Sequence, residues 1–186
     1  MKPAQVVRNF ITPEVAEQNA VLIEEAVLAG RSHRETGSES DCTLSHCFYG
    51  LHNDLLEDCL GKMEEITGLT LEPTYAYCRL YPHGEKLVPH KDKAECEVSV
   101  TLNLRNVGDP WTFCWAGGSA DLTPGDAVVY RGCDVRHWRD PNPTDDVYQV
   151  FMHYVDANGP HAELAYEYLK KLPTHIDPSL RTHRGK

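Results

Sequence analysis

Apolar residues recur at helical spacing in the first third of the chain and at a two-residue period beyond it. From Thr12 to Gly30, the residues Val15, Ala16, Ala20, Ile23, Ala26 and Val27 fall on one side of a 3.6-residue repeat, which predicts an amphipathic helix. Thr12 suits the N-cap, Pro13 the first turn and Gly30 the end. A second helix is expected from His52 to Gly68, with Leu55, Leu56, Cys59, Leu60 and Met63 on one face and Gly68 as its stop. Between the two, "RSHRETGSESD" (Arg31 to Asp41) is polar and contains glycine, so it reads as a loop. Its composition leaves open whether it serves as a lid.

After Gly68 the pattern changes. "TYAYCRLY", "CEVSVTLNL", "WTFCWA", "DAVVYRG" and "YQVFMHYV" are short runs rich in β-branched and aromatic residues, separated by Pro, Gly, Asn and Asp. Such spacing predicts an all-β sandwich or barrel rather than βαβ units. The expected fold class is therefore α+β, a jelly roll with N-terminal helices against one face. A closing helix is expected from about Ala162 to Lys171. The 186 residues suit one domain, 1–186, with its β core at about 69–156.

A formal charge of −10 disfavours broad nucleic-acid binding, which needs a positive surface. The basic tail from Arg181 to Lys186 is short enough to read as a frayed end. No apolar run approaches the length of a membrane span. The first residues, "MKPAQVVRNFITPEVAEQ", lack a secretory pattern because Arg8, Glu14 and Glu17 interrupt the apolar positions, so a cytoplasmic location is expected. The seven cysteines form no CxxC pair, which suits buried free thiols in a reducing compartment, with no disulfide that folding requires. Cys42, His46 and Cys47 form a conceivable zinc cluster, but no second Cys/His pair stands at a familiar spacing to complete it.

One stretch carries candidate chemistry. "VPHKDKAECEVSV" places His90 and Asp92 two residues apart, and on extended backbone such residues point to one side. A surface strand carries such a pair for solubility. A metal site carries it with a third ligand from elsewhere. "LTPGDAVVYRGCDVRHWRDP" offers that third residue, His137. Two imidazoles and one carboxylate leave three positions of an octahedral ion open, an arrangement suited to non-haem Fe(II).

Four ordered pieces carry a wider likeness: "VVRNFITPEVAEQ", "YPHGEKLVPHKD", "VTLNL" and "LTPGDAVVYRG" leading to "HW", together spanning about Val6 to Val155. With them the chain resembles the Fe(II)/2-oxoglutarate-dependent oxygenases of the prolyl-4-hydroxylase-like group. The resemblance implies a double-stranded β-helix, with Fe(II) held by His90, Asp92 and His137, and Tyr81 lining a 2-oxoglutarate pocket. It implies a dioxygenase that consumes O2 and 2-oxoglutarate, releases succinate and CO2, and hydroxylates a small molecule or a peptide or protein side chain. Halogenation is disfavoured, because halogenating relatives lack the carboxylate that Asp92 supplies here.

The chain departs from the family at one place. Relatives carry Lys or Arg about ten residues past the distal histidine, where this chain has Asp146, Val147, Tyr148 and Gln149. A buried dianion needs a cation, so Arg139 or Arg79 is expected to serve, Arg139 for its nearness to His137. Gln149 can add a hydrogen bond but no charge. Arg131 and Arg136 read as surface residues. His83 is expected in an exposed turn and His153 inside, as a satisfied core or pocket residue. Trp111, Trp115 and Trp138 read as core or rim, Trp138 also able to wall the substrate pocket, and Lys91 and Lys93 read as solvated, either able to meet an acidic substrate. Two alternatives stay open: a cupin-like metal sandwich that does not use 2-oxoglutarate, and a catalytically silent binding module. Substrate and oligomeric state are not legible, and no membrane partner is expected.

Overall fold

In the computed structural model, which describes residues 1–32 and 44–166, strands pair into two antiparallel sheets with aromatic and polar side chains between them. In chain order the elements are β1 (Ala4–Val7), α1 (Pro13–Leu28), β2 (His46–Tyr49), α2 (Asn53–Asp58), α3 (Leu60–Thr67), β3 (Leu71–Tyr81) and β4 (Leu87–His90). There follow β5 (Val98–Asn106), β6 (Phe113–Trp115), β7 (Gly118–Ala120), β8 (Ala127–Tyr130), β9 (His137–Arg139) and β10 (Val147–Asp156). One sheet has the order β1-β8-β5-β10-β3-β2, the other β4-β9-β6-β7.

The larger sheet is buried on both faces, which is why β10 is apolar almost throughout. Its outward residues Tyr148, Val150, Met152 and Tyr154 join Val98, Val100, Leu102 and Leu104 of β5 under the helices. Its inward Val147 and Phe151 pack with Tyr77 and Tyr81 of β3, Leu87 of β4 and Trp111. By the same alternation Gln149 and His153 also face inward, so this strand brings two polar side chains into the interior.

Helix α1 follows the expected pattern. Thr12 Oγ1 accepts the Val15 N–H at 3.3 Å, and Ala16, Ala20, Ile23 and Ala26 form the buried stripe. Arg105 of β5 ties the helix to the sheet, donating to Glu17 at 2.5 Å and Glu24 at 2.6 Å while its guanidinium lies over Tyr148. The second helix is broken where one continuous helix was expected. Cys59 has ψ of −8° and separates α2 from α3. Beside the break, Tyr154 Oη donates to the Leu56 carbonyl at 2.8 Å. Gly68, at φ 70°, ends α3 in the left-handed region as expected.

The expected closing helix differs as well. A single 3₁₀ turn spans Ala162–Leu164, and the remainder of that expectation, 167–171, lies outside the described residues. The expected loop lies outside them from residue 33 onward, as do Cys42 and the basic tail. The other six cysteines carry free thiols. Among the described residues no helix is long and apolar enough to cross a membrane.

The turn into β8 is fastened to the start of α1. A Cβ at Gly125 would lie 2.4 Å from the Ile11 carbonyl oxygen, so only glycine allows this approach. Next to it the Asp126 carboxylate accepts from Arg8 at 2.7 Å, the Asn9 N–H at 3.0 Å and the Thr123 hydroxyl at 2.8 Å. Burial alone would raise this carboxyl, but those donors win and hold it below its ordinary 3.8. A depressed carboxylate stabilises the fold above its unfolded-state value and loses that contribution as pH falls through its folded value. Asp126→Ala is therefore expected to cost about 1–3 kcal/mol at pH 7. In denaturant melts across pH, the gap to the wild type should close toward pH values below the ordinary carboxylate range.

Candidate metal centre

His90 closes β4 and His137 opens β9, and the two residues are paired across the antiparallel ladder. Their ring centroids lie 4.2 Å apart. Asp92 sits two residues past the end of β4, where its N–H donates to the Gly132 carbonyl at 2.9 Å. This bond turns the carboxylate back toward the imidazoles, and Oδ1 lies 3.5 Å from Nε2 of each histidine. The structure thus brings the three sequence-predicted residues together, with one ligand atom from each within 4.8 Å of the others.

The imidazoles are held in one tautomer. His90 Nδ1 lies 2.8 Å from the Val88 carbonyl and His137 Nδ1 lies 3.0 Å from the Val135 carbonyl. A carbonyl only accepts, so each Nδ1 carries a proton, and Nε2 is the nitrogen each ring turns inward. Tyr130 Oη stands 3.4 Å from the His137 Nε2. Burial would raise the Asp92 carboxyl, but the His90 hydrogen bond and the nearby His137 and His153 hold it at about 2, fully ionised at neutral pH. His137 is depressed by burial. His90, although burial acts against its charged form, is raised by the Asp92 and Val88 contacts together. The side chains of His137, Asp92 and His90 are 2%, 13% and 21% exposed, so the cluster is sealed on one side and reachable from the other.

Beyond the cluster stands a buried cation. Arg139 follows His137 by two positions on β9 and points to the same side. It is 1% exposed. Its Nη1 donates to the Trp111 carbonyl at 2.5 Å, and its guanidinium lies 4.8 Å from the Trp111 ring centroid and 5.3 Å from that of Phe113. Nε and Nη2 find no hydrogen-bond partner among the described residues. Burial lowers this group to about 10, which leaves it charged at neutral pH. An unpaired buried charge is costly, and the orphaned N–H pair forms one side of the fork that grips a carboxylate.

Arg79 is differently placed. Its Nε donates to Tyr77 Oη at 2.6 Å and its Nη1 to Tyr81 Oη at 3.4 Å, with the guanidinium over both rings. Tyr81 is fully buried and meets Trp111 edge-on at 5.1 Å. Gln149 is buried, accepts from the Thr101 hydroxyl at 3.3 Å, and has an unpaired Nε2 among the described residues. His83, Arg136, Lys91 and Lys93 are exposed, and Arg131 pairs with Asp134 at 2.7 Å. His153 is buried beside the cluster. Trp138 is half-buried, and alternation along β9 turns it to the side opposite His137 and Arg139.

Three further residues escaped the sequence reading. Tyr130 ends β8 against His137, and Ser99 and Gly132 surround Asp92. A Cβ on Gly132 would lie 2.1 Å from the Cys96 carbonyl oxygen, 2.6 Å from Asp92 Oδ2 and 2.7 Å from Ser99 Oγ. The signal in the sequence was a glycine directly after a buried strand, which reads equally well as a turn.

No protein-family model matches the chain, and no curated protein matches it. Solved structures do. A Pseudomonas putida prolyl-4-hydroxylase aligns with a TM-score of 0.66 at 15% identity, over 83% of this chain and 92% of that one. The non-haem α-ketoglutarate-dependent epimerase SnoN of nogalamycin biosynthesis gives 0.70 at 14% identity, over 95% and 87%. HygX from Streptomyces hygroscopicus, with nickel and 2-oxoglutarate bound, gives 0.59 at 10% identity, over 84% of each chain. The chain therefore has the jelly-roll fold shared by prolyl-4-hydroxylases and other 2-oxoglutarate/Fe(II) oxygenases.

The wall around Asp92 is tight enough to test. Gly132→Ala forces the new methyl against the carboxylate and a backbone carbonyl, and overpacking of this kind costs about 1–3 kcal/mol. We expect a lower unfolding midpoint and, in the folded fraction, weakened binding of divalent metal by equilibrium dialysis.

Proposed function

We propose that the protein is an Fe(II)- and 2-oxoglutarate-dependent dioxygenase that hydroxylates a small molecule or a protein side chain. The observation that carries this reading is the orphaned, buried guanidinium of Arg139 on the same strand side as His137. A metal cluster alone suits many chemistries. A metal cluster with an unpaired cation buried alongside suits a ligand that chelates at one end and carries a carboxylate at the other.

The residues fit the group. His90 Nε2, His137 Nε2 and Asp92 Oδ1 would hold iron, a donor set that leaves three positions for cosubstrate and O2. Arg139 would take the far carboxylate, stacked on Trp111 and Phe113 so that its plane is fixed before binding. Residues i and i+2 of a strand are separated by about 7 Å, which is of the order of an extended five-carbon diacid. Gln149 Nε2 and the Tyr81 hydroxyl are polar groups on the same interior and can add hydrogen bonds. When bound, iron and 2-oxoglutarate supply O2-dependent oxidative decarboxylation to succinate and CO2, coupled to substrate hydroxylation.

The chain's own part is orientation and exclusion of water. The Val88 and Val135 carbonyls accept from Nδ1 of each imidazole, which leaves Nε2 as the nitrogen aimed at the metal position. Tyr81, Leu87, Trp111, Val147 and Phe151 keep the interior apolar around its few charges, which strengthens each electrostatic contact. The partly exposed edges of His90 and Asp92 mark the side from which substrate would enter. Structures of this fold include a prolyl hydroxylase of Trichoplax adhaerens with a hypoxia-inducible-factor peptide fragment and SnoN with nogalamycin RO. Those two cases support keeping both peptide and small-molecule substrates in view.

Two tests follow from these roles. His90→Ala, Asp92→Ala and His137→Ala should each lose iron and succinate formation from 2-oxoglutarate while thermal unfolding stays cooperative. A variant with full iron content and full turnover would remove that residue from the ligand set. Arg139→Ala should raise the 2-oxoglutarate concentration needed for turnover by at least about tenfold, because a charge-assisted pair contributes about 1.5–3 kcal/mol. Iron binding should survive, and Arg139→Lys should rescue only in part because it lacks the planar fork. Arg79→Ala is the control, and a larger effect there would move the anchor to β3.

A further inference from the structure

The two carboxylate oxygens of Asp92 have different surroundings. Oδ1 faces the Nε2 atoms of His90 and His137. Oδ2 points the other way, 3.2 Å from Ser99 Oγ, in a space so tight that a Cβ on Gly132 would come within 2.6 Å of it. Ser99 is fully buried on β5, directly across the ladder from His153 of β10, and its Oγ lies 2.9 Å from His153 Nδ1. The same Oγ lies 3.0 Å from the Cys96 carbonyl oxygen.

Proton accounting orders these contacts. Ser99 has one hydroxyl proton, and Asp92 Oδ2 and the Cys96 carbonyl can only accept it. If the proton went to His153 instead, the hydroxyl oxygen would face a buried carboxylate lone pair to lone pair. The arrangement is satisfied when His153 Nδ1–H donates to Ser99 Oγ and the hydroxyl donates on toward Oδ2, shared with the carbonyl. The His153 ring is fixed from its face by Tyr75, with centroids 4.6 Å apart, and Tyr75 Oη lies 3.1 Å from Cys96 Sγ. Asp92, Cys96 and His153 also have the mutual spacing of a metal-binding group. The Ser99 hydroxyl bonds both Asp92 and His153, so a hydrogen-bonded support for Asp92 accounts for that cluster.

We propose that Ser99 and His153 are positioning residues for the metal: they hold Asp92 Oδ2 so that the carboxylate offers Oδ1 alone. The inference rests on the reading of His90, Asp92 and His137 as ligands. Its consequence is an open coordination position. A carboxylate free to swing would bind through both oxygens and occupy a site that a second ligand needs, whereas one pinned by a neighbouring donor stays monodentate.

The test uses the full chain stripped of metal and titrated with Co(II), whose visible bands report coordination number. Wild type is compared with Ser99→Ala, His153→Ala and His153→Asn. We expect Ser99→Ala to weaken Co(II) binding by about ten- to a hundredfold and to change the band pattern. His153→Asn, whose amide N–H can stand in for Nδ1–H, should recover much of the affinity lost in His153→Ala. The His153 pair carries the comparison alone should Ser99→Ala fail to fold. If folded Ser99→Ala binds Co(II) with wild-type affinity and spectrum, the inference is overturned and the ligand assignment stands. A His153→Asn no better than His153→Ala also overturns it. If the wild type itself takes up no Co(II), the ligand reading fails first and this inference falls with it.

Discussion

Two imidazoles can share one ion only if their strands are locked in register, and here that lock is the pairing of His90 with His137 across β4 and β9. Both strands are short, four and three residues, and neither would hold a register alone. Their position comes from packing against the larger sheet. Leu87 of β4 and Trp111 are buried with Tyr77, Tyr81, Val147 and Phe151, so the smaller sheet is clamped face to face by the long β3 and β10. Those strands are in turn fixed by the helices on their outer side, where Met63, Leu56 and Ile23 complete the second core. The candidate metal cluster thus depends on two apolar layers in succession. Sheet-on-sheet packing sets the ladder, and helix-on-sheet packing sets the sheet.

The inner face of the larger sheet is organised along the strands. Register places Val147 opposite Tyr81, Gln149 opposite Arg79, Phe151 opposite Tyr77, and His153 opposite Tyr75. On the other side of β10, Gln149, Phe151 and His153 meet Asn103, Thr101 and Ser99. Polar residues therefore recur at two levels, separated by the Phe151–Tyr77 pair. One level holds Ser99 and His153, joined by hydrogen bonds that reach Asp92. The other carries Gln149 and Arg79 and leaves the Gln149 amide unpaired among the described residues. An unsatisfied buried donor costs about 1–3 kcal/mol, and such groups persist in folded proteins where a ligand completes them.

What the sequence revealed followed from periodicity and from motifs whose parts lie close together. The face of α1, the cap at Thr12, the stop at Gly68 and the five longer β runs all express local repeats, and the structure contains each of them. His90 and Asp92 were visible because they lie two residues apart, and His137 because it stands among polar residues just past a strand-like run; the resemblance then named the three together. Strands β1, β2 and β7 were not legible, since none of them lies in a run of alternating apolar residues bounded by turn residues. The break at Cys59 lies beside a hydroxyl from Tyr154, on the last strand. Ser99, His153 and Gly132 act on Asp92 across the sheet, and no local pattern announces such a contact.

The placement of the buried cation has its own electrostatic logic. The resemblance leads to an expectation of a basic residue about ten positions past His137, where β10 begins and offers Val147 and Gln149 instead, while β9 carries both His137 and Arg139. Putting a guanidinium two residues from a metal ligand sets two positive centres near each other in a dry interior, where little screens them. The aromatic faces of Trp111 and Phe113 and one carbonyl offset part of that cost, but they supply no full negative charge. Asp92 is already committed to the imidazoles. On the proposed function, a dianion lying between the iron and Arg139 answers both positive centres at once, and each centre makes the other's environment better for it. On that reading metal and cosubstrate are coupled by coordination and by charge, and by linkage each tightens the binding of the other.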